Sequence, residues 1–84
     1  MAEAQLYTVI AETMARLARH KGQPEAEMLI QSALTQAGLQ VRDKYTAQEL
    51  LSISEGLVKH GGLVELIGRT LRMTALRKGA SLHQ

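Results

Sequence analysis

Cysteine is absent from this chain of 84 residues, and so are phenylalanine and tryptophan. Without cysteine the chain has no disulfide scaffold, no thiolate metal ligand, no thiol nucleophile and no thiol redox switch. A chain this short must therefore draw its stability from aliphatic packing or from association with another chain. Because disulfides mark oxidising compartments, their absence favours a cytoplasmic protein.

Aromatic residues are nearly absent too: Tyr7 and Tyr45 make up the 2% that the chain contains, against 45% apolar residues overall. The core must consist mainly of leucine and other aliphatic residues. Leucine and alanine are strong helix formers, whereas the aromatic and β-branched residues that favour strands are scarce, so the composition favours helices. So few aromatic side chains also offer little to line a substrate pocket or to stack on nucleic-acid bases.

Long hydrophobic runs are missing as well. No apolar run approaches the roughly 18 residues that a membrane helix needs. The first residues carry Glu3, where a signal peptide would need basic residues. The sequence therefore predicts a soluble protein without membrane association.

No motif for catalysis or metal binding is present. The three histidines are His20, His60 and His83. The first two lie in the last turns of predicted helices, where they complement the helix dipole, and the third lies in the tail. No serine has the sharp strand-to-helix turn of a known nucleophile motif. We therefore expect no enzymatic activity, no bound metal and no cofactor.

Four amphipathic segments, separated by glycine, proline or polar breaks, predict one all-α domain over residues 1–84. Apolar residues recur at helical spacing within each segment. The expected architecture is a small bundle of four helices with short glycine-containing turns, completed by dimerisation. The predicted helices cover residues 4–20, 24–37, 47–60 and 63–78, and residues 80–84 are expected to fray.

The beginning of the third helix carries a specific local signal. Thr46 and Glu49 have the spacing of a capping box, in which each side chain accepts a hydrogen bond from the other residue's amide. Tyr45 before the cap and Leu50 after it would form the accompanying hydrophobic staple. At the end of the second helix, Gly38 followed by Leu39 predicts a Schellman motif.

Apolar stripes about 160–180° wide on the third and fourth predicted helices suggest an interface, because an 84-residue monomer can cover only part of such a surface. We therefore predict a non-enzymatic protein–protein interaction module, most simply a symmetric homodimer. Met28 is a candidate because it lies opposite the apolar stripe of its own helix. Gly56 and Gly68 are candidates for the close approach of a neighbouring backbone. The full set of predicted interface residues is Met28, Gly56, Leu63, Leu66, Gly68 and Met73.

Nucleic-acid binding is the alternative function. Up to Asp43 there are four basic and five acidic residues, whereas from Lys44 onward there are six basic and three acidic residues. A basic last helix could contact phosphates. The candidate phosphate contacts are Arg69, Arg72, Arg77 and Lys78. Against this alternative, the net charge of the chain is only +2, and Arg77 and Lys78 also suit the negative end of a helix.

Overall fold

A computed structural model describes residues 5–82, which form four α-helices. They are α1 (Val9–Lys21), α2 (Gln23–Ala37), α3 (Ala47–Val58) and α4 (Gly62–Arg77). Each helix packs mainly against two others, in the cyclic order α1, α2, α3, α4, so α2 and α4 lie diagonally across the bundle. The predicted all-α arrangement of four helices is confirmed.

The first helix begins later than predicted. It starts at Val9 rather than at residue 4, and Ala4 lies outside the described residues. Tyr7 instead pairs with Tyr45 in an isolated antiparallel bridge, with N···O distances of 2.8 and 3.0 Å. These two hydrogen bonds satisfy the backbone amide and carbonyl of Tyr7, which in a helix would bond to other residues of that helix. Leu6, directly before this bridge, is exposed.

Glycines lie at or just after the ends of the helices. At the end of α2, Gly38 adopts the left-handed conformation with φ 73°. The amides of Leu39 and Gly38 donate to the carbonyls of Leu34 and Thr35, which is the predicted Schellman pattern. The third helix ends at Val58, two residues earlier than predicted, because Gly61 and Gly62 both take positive φ and the chain must turn before them.

The capping box at the start of α3 is confirmed. The Thr46 hydroxyl accepts from the Glu49 amide at 3.1 Å, and the Glu49 carboxylate accepts from the Thr46 amide at 2.9 Å. Burial raises the pKa of Glu49, but hydrogen bonds from Arg42 and Thr46 and the charge of Arg42 outweigh it, so the pKa lies below its ordinary value of 4.5. Because this pKa is lowered on folding, the cap stabilises fully above the ordinary value and weakens as the pH falls through the lowered one.

Tyr45 fixes the loop before α3. Its side chain is completely buried. Its hydroxyl donates to the Gln40 carbonyl at 2.9 Å and accepts from the Arg42 amide at 2.8 Å. The buried polar atom therefore has both partners, which removes the usual cost of burying a hydroxyl.

The residues after α4 do not fray as predicted. Ala80 is buried, and its amide donates to the Ala75 carbonyl at 3.0 Å. Ser81 exchanges two hydrogen bonds with the side chain of Gln48, at 3.0 and 3.1 Å. The predicted fraying was wrong here because contacts far away in the sequence hold this segment; residues 83–84 lie outside the described residues.

Gly56 and Gly68, which were predicted to permit the close approach of a neighbouring backbone, are buried between helices of the same chain. A Cβ added to Gly56 would lie 3.0 Å from the Ala33 Cβ on α2. A Cβ added to Gly68 would lie 2.9 Å from the Val58 amide nitrogen and from the Leu57 Cβ on α3. Both glycines do permit a close approach, as expected, but the approach is inside the bundle.

We predict that Thr46→Ala lowers the free energy of unfolding by about 0.5–2 kcal/mol, because it removes an N-cap acceptor whose reciprocal bond is present. Urea unfolding followed by circular dichroism measures this difference. Thr35→Ala, at an exposed site on α2, is the matched control. Equal stability of the two variants would contradict a stabilising role for the box.

We predict that Gly68→Ala lowers the thermal midpoint of unfolding. Replacing glycine with alanine in a helix interior normally raises the free energy of unfolding by about 0.5–1 kcal/mol. Here the new methyl group would press on the backbone of α3, and such overpacking costs about 1–3 kcal/mol. A thermal melt shows whether the midpoint falls or rises, with Ser32→Ala at an exposed site as the control. A raised midpoint for Gly68→Ala would contradict the prediction and show that α3 and α4 separate easily.

Candidate protein interface on the outer face of helix α4

The inner side of α4 belongs to the core. Val64, Gly68, Leu71 and Ala75 are buried, at the three- and four-residue spacing that lines one side of a helix. Gly68 lets this side lie directly on the backbone of α3. This contact fixes the rotation of α4 about its own axis and therefore decides which residues point away from the bundle.

The outer face of α4, defined here as Leu63, Leu66 and Met73, points to solvent. These side chains are 50%, 58% and 58% exposed. Leu66 and Met73 are seven residues apart, so they lie two turns apart on the same side of the helix, and Leu63 is within about 80° of both. All three were predicted as interface residues. The wide stripe predicted for this helix therefore has a buried side and an exposed side.

A charged row follows one edge of the outer face. Arg69 forms an ion pair with Glu65 one turn earlier. Within residues 5–82, Arg72 has no ion pair. Arg69 and Arg72, with Met73 and Leu76, enclose a depression of about 290 Å³ beside the outer face. Two arginines beside two apolar side chains make this depression suited to an anionic side chain.

The remaining predicted phosphate contacts lie at the end of α4. Arg77 is exposed and, in the part of the chain described, has no ion pair. Lys78 lies with its Nζ atom 4.5 Å from the centre of the Tyr7 ring, in a cation–π contact. The four predicted cations therefore run along one helix, but Arg69 and Lys78 are already engaged within the chain.

Met28 is separate from this surface. It is 68% exposed on α2, as its position opposite the buried stripe of that helix predicted. Its neighbours Glu25, Glu27 and Gln31 are exposed and polar, and α2 lies diagonally opposite α4. Met28 is thus a single apolar side chain on a polar surface, which is common in monomeric proteins.

A second apolar surface escaped the sequence analysis. A groove of about 370 Å³ lies between α1, α2 and the loop before α3. Exposed Val41 is a local signal for this groove in the sequence, since Ile10, Met14, Ile30 and Leu34 belong to ordinary helix stripes. Its apolar lining consists of Ile10, Ala11, Met14, Ile30, Leu34, Val41 and Tyr45.

Residues 5–82 contain no cluster of three or more histidine, cysteine or carboxylate side chains that could hold a metal ion. His20 and His60 are exposed, and His83 lies outside the described residues. The buried Ser54 hydroxyl donates to the Leu51 carbonyl at 2.6 Å, a local helix bond. In the same range no helix is both long and apolar enough to cross a membrane.

Comparison with known proteins finds no match to a family model, to a curated protein or to a solved structure. The surfaces of this chain are therefore the basis for its proposed function.

Proposed function

We propose that this chain is a non-enzymatic helical module that acts through protein–protein contact and forms a homodimer through the outer face of α4. The observation that supports this most strongly is the pair of apolar surfaces on one helix. The inner side of α4 already contributes to the core, yet Leu66 and Met73 on its opposite side remain more than half exposed. Clustered exposed apolar side chains are typical of binding surfaces.

The size of the face sets the strength of the contact. Covering the exposed half of a leucine or methionine side chain is worth about 1 kcal/mol, and a symmetric pair covers two copies of the outer face. The resulting gain, roughly 6 kcal/mol, is similar to the cost of bringing two chains together. We therefore expect a weak, reversible dimer whose dissociation constant lies in the millimolar range, with the charged groups of the face adding to the apolar gain.

Self-association suits a face with this mixture of residues. Glu65 and Arg69 lie next to Leu66 on the same helix, so one copy presents apolar, acidic and basic groups together. A second copy can therefore satisfy each group with its opposite, and the same patch serves both partners in a two-fold arrangement.

Nucleic-acid binding through α4 is the weaker proposal. In the described range, Arg72 and Arg77 are the two predicted phosphate contacts that are exposed and have neither an ion pair nor a cation–π contact. Two such cations support only a low affinity, and Leu66 and Met73 between them do not contact phosphates.

We predict that Leu66→Arg weakens self-association by at least about tenfold, because it replaces an apolar contact in both halves of the dimer with two buried cations. Since Leu66 is exposed, the thermal midpoint of the diluted chain should stay close to that of the wild type. Sedimentation equilibrium between about 10 μM and 1 mM measures the dissociation constant. The upper concentration reaches the expected affinity.

Met28→Arg is the matched control, because it places the same charge at a more exposed apolar residue on the diagonal helix. It should associate like the wild type. A wild-type chain that stays monomeric up to 1 mM, or a Leu66→Arg chain that still dimerises, would refute the proposal. Binding of random DNA that falls steeply with salt and needs Arg72 would instead favour the nucleic-acid alternative.

A further inference from the structure

We infer that the two copies pair their α4 helices antiparallel about a two-fold axis near Arg69 and Thr70, so that the partner's Glu65 enters the depression between Arg69 and Arg72. This inference rests on the proposed self-association and specifies its geometry. It is carried by the order of apolar and charged residues along one exposed helix face.

The apolar residues allow this pairing. Leu66 and Met73 lie on the same side of α4, at equal distances from a point between residues 69 and 70. An antiparallel partner centred at that point places its Met73 against Leu66 and its Leu66 against Met73. Two equivalent apolar layers result, as in the isologous contact of a symmetric dimer.

The ends of the face favour the antiparallel direction. Arg77 projects within about 40° of Leu66 and Met73 on the helical wheel. In a parallel dimer the two Arg77 side chains would meet at the same level, where their charges repel. In the antiparallel dimer Arg77 instead lies beside the partner's Leu63, where its methylene groups can cover the leucine while the guanidinium stays in water.

The charged edge favours the same direction. Glu65, Arg69 and Arg72 follow one another along a single edge of the face. Reversing the partner brings its Glu65 close to the level of Arg72, at the depression of about 290 Å³ that Arg69 and Arg72 enclose. Each Glu65 then bridges its own Arg69 and the partner's Arg72. These bridges offset the repulsion between the two Arg69 groups near the axis.

A parallel pairing lacks these bridges. Because equivalent residues lie at the same level in a parallel two-fold pair, Glu65 would be far from the partner's Arg72, about 10 Å away along the axis at 1.5 Å per residue. The parallel alignment of two helix dipoles would add a further unfavourable contribution. Apolar contacts alone permit both directions, so the charges determine the choice.

The absence of cysteine from the sequence makes disulfide trapping a direct test. Leu63→Cys and Arg77→Cys are prepared separately, mixed, and oxidised at a concentration where sedimentation detects dimer. Antiparallel pairing should yield mainly the mixed disulfide between residues 63 and 77. It should yield little disulfide between two Arg77→Cys chains, whose sites lie about 22 Å apart along the axis.

Thr70→Cys lies near the proposed axis, so two copies of this variant should cross-link to each other. That cross-link would show that the face lies within the dimer contact. Gln31→Cys, on the exposed side of α2, should not cross-link above the level of random collision. Dimeric mass with a predominant disulfide between two Arg77→Cys chains would overturn the antiparallel geometry and leave the proposed dimer intact. Monomeric mass with only collisional cross-links from every site would overturn both.

Discussion

The contact of α4 with α3 across Gly68 is the constraint on which the rest of the surface depends. A side chain at this position would press on the Val58 amide and the Leu57 Cβ, so the helices approach this closely only because glycine is present. The contact orients α4 so that Leu71 and Ala75 face the core. The opposite side of the same helix, with Leu66 and Met73, must then face away from the bundle.

A helix held in this way has two apolar sides, and the bundle covers only one of them. Within residues 5–82, no further helix lies over the other side. Polar residues there would cost nothing in folding, so two large apolar side chains at a two-turn spacing support the proposed contact with a second chain. In the proposed contact, the flanking Glu65 and Arg72 would favour one direction, since their order along the helix distinguishes one orientation of a partner from the other.

The sequence predicted the features that depend on neighbouring residues. The capping box of Thr46 and Glu49 and the Schellman turn at Gly38 are local, and both formed as expected. The start of α1 was predicted wrongly because Tyr7 pairs with Tyr45, 38 positions away, which no helical periodicity reveals. Periodicity likewise could not divide the stripe of α4 into buried and exposed halves, since that division depends on where the other helices lie.

The four methionines allow the central claim to be measured directly. In a chain carrying ¹³C-methyl methionine, Met73 reports on the outer face of α4, Met28 on the exposed side of α2, and Met14 on the groove beside α1. Nuclear magnetic resonance spectra recorded over a dilution series should show the Met73 methyl resonance shifting with concentration while those of Met28 and Met14 stay fixed. A Met73 resonance that stays fixed while Met28 or Met14 shifts would contradict the claim that α4 carries the interface.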